Sequence, residues 1–333
     1  MNTVTIQDIA EAANVSKSTV SRVLNGTATV AADKKQAVLE ATKRLGFQPN
    51  VVARSLARGR SMTIGVLTQL IGSPFYDTVA RGVIIGLRDS GYSPIFVDGQ
   101  WQQNSEVEAI QALLGRRVDG LVLIGGGVAE KDIVELCGRT PAVVVARQLS
   151  AQQHTTIYMD NVDGGYRATR LLIENGHTRI AIIKGLAHHP DAIDRFTGYQ
   201  KALQEAGIPL DASLVLEGDF SADSGVAGVE RLLADDTRFT ALVAANDMTA
   251  FGARLALYRK GIRVPREVSI VGFDDQMEAT YSTPPLTTVR QPAREMGQQA
   301  AQAVAALIDG EQVTSQCVNG ELIIRESVAA APE

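Results

Sequence analysis

Apolar side chains recur at helical spacing in three short stretches near the start of the chain. The three stripes are Ile6, Ile9, Ala10 and Ala13; then Val20, Val23 and Leu24; then Ala37, Val38, Ala41 and Leu45. Repeats of three and four residues place side chains on one face of an α-helix. Ser16 is a good N-cap for the second helix, and Gly46, followed by Pro49, marks the end of the third. The pattern therefore predicts a small unit of three helices.

From Thr63 onward, short β-branched runs alternate with longer amphipathic stretches. The predicted strands are Thr63–Leu67, Pro94–Val97, Gly120–Ile124, Ala142–Val145, Arg179–Ile183, Leu214–Leu216, Ala241–Ala244 and Val268–Val271. The predicted helices lie near Phe75–Ser90, Ser105–Leu114, Val162–Asn175, Ala192–Ala206, Ser224–Leu233 and Met248–Lys260. This alternation is typical of parallel sheets joined by right-handed crossovers.

The number of strands favours two doubly wound lobes over one open sheet. Residues 160–165, which read Asp-Asn-Val-Asp-Gly-Gly, form a natural break between the lobes. Ligands of doubly wound folds bind outside the carboxyl ends of the strands. The cleft between the two lobes is therefore the expected binding site.

Residues 5–25 have the spacing of a helix-turn-helix. Ala10 is small enough for two helices to cross closely, Val15 fills the turn and Val20 closes the core. The side chains left on the outward face of the second helix are Lys17, Ser18, Ser21 and Arg22. The N-terminus of such a helix enters the major groove of DNA, although a plain pair of packed helices would have the same spacing.

Basic side chains are concentrated at the start of the chain, although the protein as a whole is acidic. The net charge is −5, yet residues 1–60 carry nine Lys or Arg against four Asp or Glu. A basic N-terminal segment followed by an acidic remainder fits a nucleic-acid-binding unit joined to a sensor domain.

The sequence also argues against several classes of protein. No stretch of about eighteen apolar residues could cross a membrane, and Met1 to Asp8 lack the regions of a secretory signal. We therefore expect a cytoplasmic protein, with Cys137 and Cys317 reduced. Because no nucleophile elbow, phosphate loop or zinc spacing occurs, we predict no catalytic residue, no metal and no cofactor.

Longer strings of residues carry a family signature. They are TIQDIAEAANVSKSTVSRVLN at 5–25, FQPNVVARSL at 47–56, IGVL at 64–67, VDGLVLIGGG at 118–127, DNVDGGYRAT at 160–169, GHTRIAIIKG at 176–185, ANDMTAFGA at 245–253, VPREVSIVGFDD at 264–275 and PPLTTVRQP at 284–292. Together, and in this order, they closely resemble the lactose-repressor/galactose-repressor family of transcription regulators.

The resemblance implies a chain of three parts. Residues 1–48 would form an all-α helix-turn-helix headpiece, and residues 49–60 a hinge helix and linker. Residues 61–333 would form a two-lobed α/β domain of the periplasmic-binding-protein type, with parallel sheets, for effector binding and dimerisation. The lobes would comprise about residues 61–160 and 291–319 (lobe 1) and about 161–290 and 320–329 (lobe 2), with crossings near Asp160, Gln291 and Asn319. A homodimer is expected because no leucine heptad of the tetramerising type follows Leu322.

The resemblance also implies which residues bind double-stranded operator DNA. Arg22 is the main candidate for base readout, because a guanidinium can bridge O6 and N7 of guanine. Lys17 and Ser18 resemble the family positions that vary with the operator sequence. Phosphate contacts, which set position rather than sequence, would fall to Ser16, Thr19, Ser21 and Asn25.

The hinge helix is implied to bind the minor groove. Leu56 would insert at the central step of the operator and bend the DNA, with Ala53 against the groove floor and Asn50 also in contact. Because so short a helix is unstable alone, it would form only when two hinges pair on DNA. A ligand that changes the angle between the lobes would then change DNA affinity.

The ligand is expected to be a neutral sugar or glycoside, since sugar sites combine aromatic faces with planar polar groups. The candidate contacts are Phe75, Trp101, Arg147, Arg195, Phe220, Asn246 and Asp274. Arg195 would donate to two oxygens, while Asn246 and Asp274 would bind hydroxyls. Three of the candidates, Trp101, Arg147 and Phe220, could instead cap a lobe. The remaining polar residues, His188, His189, Asp191 and Asp194, are interpreted as a polar loop before a helix. Tyr76 is expected to pack in the protein interior rather than to contact the ligand.

The predicted function is a ligand-responsive transcription regulator, a repressor of sugar-utilisation genes that binds a pseudo-palindromic operator as a dimer. A purine- or sugar-phosphate-responsive regulator of the same fold is the main alternative. A sugar-binding protein without a DNA function is a weaker one.

Overall fold

The structure of the protein is a computed structural model that describes residues 4–25, 30–47, 59–149 and 154–332. The chain divides into two compact units at the boundary between Ser61 and Met62. The described part of the first unit is helical, and the second contains two sheets covered by helices. The predicted fold class is therefore confirmed. Residues 48–58, which include Asn50, Ala53 and Leu56 of the predicted hinge helix, lie outside the described residues.

The N-terminal unit packs three helices around a small apolar core. The helices are α1 (Ile6–Ala12), α2 (Lys17–Asn25) and α3 (Ala32–Arg44). Ile9, Val20 and Val38, one from each helix, are fully buried at the centre of this core. The hydroxyl of Ser16 accepts a hydrogen bond from the backbone N–H of Thr19 at 3.1 Å, which confirms the predicted N-cap.

Lobe 1 of the C-terminal unit is built on a six-stranded parallel sheet. Its strands are β1 (Thr63–Thr68), β2 (Ser93–Asp98), β3 (Gly120–Ile124), β4 (Ala142–Val145), β5 (Thr155–Met159) and β11 (Gln316–Val318), in the order β11–β5–β4–β3–β1–β2. Its helices are α4 (Pro74–Gly86), α5 (Gln103–Gly115), α6 (Glu130–Cys137) and α12 (Ala293–Ile308). Helices on both faces bury every residue of β3 and β4, which explains why these strands read as continuous apolar runs.

Lobe 2 repeats this architecture with one antiparallel edge. Its strands are β6 (Ile180–Ile183), β7 (Val215–Leu216), β8 (Ala241–Ala244), β9 (Ser269–Asp274), β10 (Thr287–Arg290) and β12 (Glu321–Ile323), in the order β12–β10–β9–β8–β6–β7. Its helices are α7 (Asn161–Glu174), α8 (Pro190–Glu205), α9 (Ala222–Ala234), α10 (Asp247–Arg259) and α11 (Met277–Tyr281). Strand β12 runs antiparallel to β10, and the other pairings are parallel.

The chain passes from one lobe to the other at three places. The first passage follows β5, the second lies between β10 and α12, and the third between β11 and β12. Each of these three connections leaves the carboxyl end of a strand, so all three lie at the same side of the lobes. No helix within the described ranges is both long enough and apolar enough to cross a membrane.

Several elements fall outside those that the pattern of apolar residues predicts, namely β5, α6, β10, α11, α12, β11 and β12. The most consequential is α12, whose Met296 and Val304 are fully buried in the core of lobe 1. Its neighbour is α4, where Gly82 and Gly86 leave no room for a Cβ atom against the backbone of α12. This close packing joins distant parts of the sequence, so no local pattern indicates it.

Candidate functional site

Helix α2 presents polar side chains to the surface of the N-terminal unit. Lys17, Ser18 and Arg22 are exposed, whereas Thr19 and Ser21 are half-buried. No acidic residue lies in the first turn of this helix, so the positive end of the helix dipole is available to a phosphate. The exposed face therefore carries Arg22, which is suited to base contact, together with Lys17 and Ser18 at the start of the helix.

Three hydroxyls cluster at the start of α2. The Oγ atom of Ser16 lies 2.8 Å from that of Ser18 and 2.9 Å from Oγ1 of Thr19. The N-cap thus orders the end of the helix that is expected to meet DNA. Asn25 is the last residue of α2.

The cleft of the C-terminal unit lies at the carboxyl ends of strands from both sheets. The sequence-predicted residues reach this edge through the loops and helices that follow β1 (Phe75), β2 (Trp101), β4 (Arg147), β6 (Arg195), β7 (Phe220) and β8 (Asn246), while Asp274 is the last residue of β9. This is where the topology of a doubly wound sheet places a ligand.

Arg195 is the buried cation of the cleft, with 7% of its surface exposed. Its Nε donates to Oδ1 of Asn161 at 2.9 Å, and its Nη1 donates to the carbonyl oxygen of Ala245 at 2.6 Å. The guanidinium also lies over the ring of Phe273, which favours a cation in a site with little water. Arg195 is therefore held rigidly, with Nη2 turned toward two carboxylates.

The two carboxylates belong to Asp191 and Asp274. Their nearest oxygens lie 3.9 Å and 4.0 Å from Nη2 of Arg195. Asp274 also accepts a hydrogen bond from Nε2 of Gln291 at 2.7 Å. Burial raises the pKa of both carboxyl groups, that of Asp191 to about 6, while the charge of Arg195 opposes the rise. The group combines one cation, two carboxylates and amide groups, which together can bind several hydroxyls.

A column of aromatic rings crosses the cleft. Ring centroids are separated by 5.2 Å from Phe75 to Tyr76, 5.6 Å from Tyr76 to Trp101, 4.2 Å from Trp101 to His189 and 5.1 Å from His189 to Phe220. The first three rings belong to lobe 1 and the last two to lobe 2. The contact between Trp101 and His189 therefore joins the lobes.

Arg147 has a different environment from Arg195. Its Nη1 donates to the carbonyl oxygens of Val128 at 2.7 Å and Gly126 at 3.2 Å. Burial lowers its pKa, although nearby glutamates oppose the shift. With Asn161 and Asp191, it lines a cavity of about 680 Å³ to which both lobes contribute residues. Arg147 thus lies at the edge of the site, with part of its hydrogen-bonding capacity already used.

Asn246 is committed mainly to the protein itself. As the N-cap of α10, its Oδ1 accepts from the N–H and hydroxyl of Thr249, and its Nδ2 donates to the carbonyl oxygen of Phe220 at 3.0 Å. Phe220 has a φ of +69°, a region that L-residues rarely adopt. Asn246 therefore holds the loop that presents Phe220 to the cleft.

Comparison with known proteins places this geometry in a family. A model described as bacterial regulatory proteins, lacI family, matches residues 5–50, and one described as a periplasmic binding protein-like domain matches residues 169–328. The HTH-type transcriptional repressor PurR of Haemophilus influenzae is 36% identical over 97% of this chain and 98% of its own length. The chain belongs to the lacI family of bacterial regulatory proteins.

Solved structures of other regulators agree with this lacI-family membership. The lac repressor dimer bound to operator and the anti-inducer ONPF is 30% identical, with a TM-score of 0.92 over 99% of this chain and all of that chain. The complex of the transcriptional regulator CelR with cellobiose is 33% identical, with a TM-score of 0.73 over 97% of this chain and 99% of that chain. The prediction of a DNA-binding transcription regulator rather than an enzyme is confirmed.

Several cleft residues of this lacI-family regulator are absent from the sequence-based set. Asn161 and Gln291 contact Arg195 and Asp274 from the first residue of α7 and the residue after β10. The interpretation of residues 188–194 as a polar loop fits exposed His188, but it is wrong for His189 and Asp191, which are buried in the cleft. Polar residues beside a lobe crossing were the available signal for Asn161 and Gln291.

Proposed function

We propose that the protein is a homodimeric, cytoplasmic repressor that binds a pseudo-palindromic operator and is switched by a neutral saccharide in the cleft. The observation that carries the proposal is the grouping of Arg195, Asp191 and Asp274 beside the rings of Trp101 and Phe220. Planar polar groups next to aromatic faces match the hydroxyls and C–H faces of a sugar. Genes for sugar utilisation are the expected targets.

The charges of the cleft favour a neutral ligand over an anionic one. Arg195 already faces two carboxylates, and Arg147 donates to carbonyl oxygens. A buried phosphate needs an excess of positive charge to offset the cost of its desolvation. The similarity to a CelR structure that contains cellobiose adds support for a saccharide.

Dimer formation is supported by an exposed apolar surface on lobe 2. Met277 and Tyr281 are 71% and 78% exposed, and they line one surface depression with Phe251 and Arg254. Exposed apolar patches mark interaction sites. We infer that a second copy covers this surface, because one headpiece alone contacts too few bases for specific binding.

The N-terminal unit and residues 49–60 are proposed to bind the operator DNA. The exposed face of α2 supports base contact by Arg22, variable contacts by Lys17 and Ser18, and phosphate contacts at the start of the helix. We also infer that residues 49–60 form a hinge helix with Leu56 in the minor groove. The support for the hinge is the match of residues 47–56 to the family signature.

The test begins with a thermal-shift screen of the full-length protein against glucose, ribose, cellobiose, glucose 6-phosphate and hypoxanthine. Any compound that stabilises the protein is then titrated by calorimetry. An operator is selected from a random-sequence DNA duplex library, and its affinity is measured with and without that compound. We expect a neutral saccharide to bind and to change operator affinity.

Two outcomes would contradict the proposal in different ways. Tight binding of glucose 6-phosphate or hypoxanthine alone would mean that the ligand class is wrong. Selection of no preferred DNA sequence would contradict the regulator itself. The Arg170→Ala variant, which removes a half-buried arginine paired with Glu174 on α7, is a control that should behave like the wild type in both assays.

A further inference from the structure

Glu106 is a buried carboxylate in the wall of lobe 1. It lies in the first turn of α5 and is 1% exposed. Its Oε2 atom accepts hydrogen bonds from the backbone N–H groups of Gly127 at 2.9 Å and Val128 at 3.1 Å, and its Oε1 atom accepts from the same Gly127 N–H at 3.0 Å. A buried charge needs such partners. The two N–H groups and the positive end of the α5 dipole therefore hold Glu106 in place.

The loop that receives this carboxylate has the form of an anion-binding nest. It is the segment 125–128, which reads Gly-Gly-Gly-Val after β3. The φ angles of Gly125 and Gly126 are +66° and +99°, values that suit glycine. The N–H groups of the next two residues point to one side, toward Glu106. Successive N–H groups arranged in this way bind phosphate and other anions, and here the protein's own glutamate fills the nest.

A third donor beside the nest has no partner. Gln69, the residue after β1, is fully buried, and its Oε1 accepts a hydrogen bond from the N–H of Trp101 at 2.9 Å. Its Nε2 atom makes no hydrogen bond within the described part of the chain. A Cβ atom at Gly126 would lie 2.7 Å from Oε2 of Glu106 and 3.1 Å from Nε2 of Gln69, so both side chains end against the same glycine. The surroundings of Glu106 therefore contain more donors than its carboxylate uses.

The nest borders the proposed ligand site on the side of Arg147. Nη1 of Arg147 donates to the carbonyl oxygens of Gly126 and Val128, so Arg147 binds the carbonyl groups of the loop whose N–H groups bind Glu106. Arg147 also lines the cavity to which both lobes contribute. Burial lowers the pKa of Arg147, and the negative charge of Glu106 opposes this shift. Glu106 thereby offsets the positive charge that Arg147 would otherwise present to a ligand.

We propose that Glu106 is a specificity-determining residue whose carboxylate fills an anion site in the wall of lobe 1 and so excludes the phosphate and carboxylate groups of ligands. The inference rests on the proposed function, because it concerns which ligands the same cleft rejects. A ligand phosphate at this wall meets a filled nest and an arginine whose charge is already offset. Without the Glu106 side chain, the loop N–H groups, the amide of Gln69 and Arg147 form a site for one small anion.

Three variants test this role. Glu106→Ala empties the nest and leaves its backbone N–H groups in place. Glu106→Gln keeps the length of the side chain but removes its charge, so it tests the charge even if the alanine variant does not fold. Glu108→Ala makes the same substitution at an exposed glutamate of α5 and is the matched control. Thermal melting and operator binding check the fold of each variant.

The first measurement titrates the full-length proteins with sodium acetate or sodium phosphate. Sodium chloride at equal ionic strength and acetamide, the neutral counterpart of acetate, are the reference solutes. We expect both anions to raise the melting temperature of Glu106→Ala more than that of wild type or Glu108→Ala. The emission of Trp101, the single tryptophan, should change with them, because its ring lies against Gly125. An equal response in wild type and Glu106→Ala, or an equal response to acetate and acetamide, would overturn the inference.

The closing experiment measures the affinity for glucose 6-phosphate by calorimetry. We expect the dissociation constant to fall about tenfold or more in Glu106→Ala, to fall by a smaller factor in Glu106→Gln, and to be unchanged in Glu108→Ala. No gain in either Glu106 variant would overturn the inference and leave a neutral saccharide as the ligand.

The same titrations distinguish this inference from the proposed function. If the wild type binds hypoxanthine alone while Glu106→Ala gains anion binding, the saccharide is contradicted and the anion site is supported. If the wild type binds glucose 6-phosphate and no neutral saccharide, both the proposed ligand class and the exclusion by Glu106 are wrong.

Discussion

The guanidinium of Arg195 lies 3.6 Å from the centroid of the Phe273 ring, at the floor of the cleft. This contact stabilises the cation from one side, while Asn161 and the backbone of Ala245 accept hydrogen bonds from Nε and Nη1. Nη2 is thereby directed at Asp191 and Asp274. A buried cation supported in this way is suited to a fixed role in ligand recognition.

Arg195→Ala should abolish the saccharide response at ordinary ligand concentrations while operator binding without ligand persists. The substitution leaves two buried carboxylates without their cation and removes donors to ligand oxygens, at about 1–3 kcal/mol for each lost partner. Asp274→Ala should have the same effect. Calorimetry and operator-binding titrations check both variants, with Arg170→Ala as the control. A retained response in either variant would show that the cleft is not the effector site.

Asp191→Asn should stabilise the protein at neutral pH but not at low pH. Because burial raises the folded-state pKa of Asp191 from 3.8 to about 6, the folded state retains a proton that the unfolded chain loses between these values. The favourable contribution of this group is therefore complete below about pH 4 and lost as the pH rises through 6. The asparagine does not titrate, so its advantage over wild type should grow across this range by about 3 kcal/mol.

Urea unfolding at several pH values between 4 and 7.5 measures this difference. His189 titrates in both proteins, so its contribution largely cancels in the comparison. The matched control is Asp235→Asn, at an exposed carboxylate paired with Arg231. An advantage that is constant with pH would mean that Asp191 is ionised at the same pH in the folded and unfolded states.

Arg22→Ala should weaken operator binding by roughly 1–3 kcal/mol and relax the preference at one base pair in each half-site. The reason is that Arg22 is an exposed guanidinium on the outward face of α2. Base-preference profiles from DNA selection, compared with those of the Arg231→Ala variant in lobe 2, measure the effect. An unchanged profile would assign Arg22 to phosphate contact or to solvent.

Leu56→Ala should reduce operator bending and specific affinity while leaving saccharide affinity unchanged. An apolar side chain inserted between base steps unstacks them and kinks the duplex, and alanine is too short to do so. Gel-bending assays on the selected operator measure the curvature. Equal curvature with wild type and variant would contradict the proposed hinge contact.

Tyr281→Glu should convert the dimer to a monomer and lower operator affinity, because it places a charge in the apolar surface formed with Met277 and Phe251. Sedimentation velocity measures the mass, and melting checks that the fold is intact. The control is Tyr258→Glu, at an equally exposed tyrosine of α10 that does not line the same depression. A Tyr281→Glu protein that remains dimeric would move the interface elsewhere.

The sequence by itself determined the local features of this protein. The apolar stripes that contain Ile9, Val20 and Val38 each predict one helix, because helical periodicity depends on near neighbours alone. Ser16 identifies the start of α2 for the same reason. The β-branched runs predict most strands, and the motifs around Arg195 and Asp274 identify two residues that the structure brings together in the cleft.

The tertiary structure alone decided which distant residues meet. Helix α12 packs on α4 because Gly82 and Gly86 admit its backbone, a match that neither segment reveals alone. Asn161 and Gln291 reach Arg195 and Asp274 because the chain crosses between lobes beside them. His189 contacts Trp101 and Phe220 because rings from both lobes meet in the cleft. Burial and hydrogen bonding are properties of the folded protein and not of a short stretch of sequence. Residues 188–194 are therefore interpreted from the sequence as a polar loop, whereas His189 and Asp191 are buried in the cleft of the folded protein.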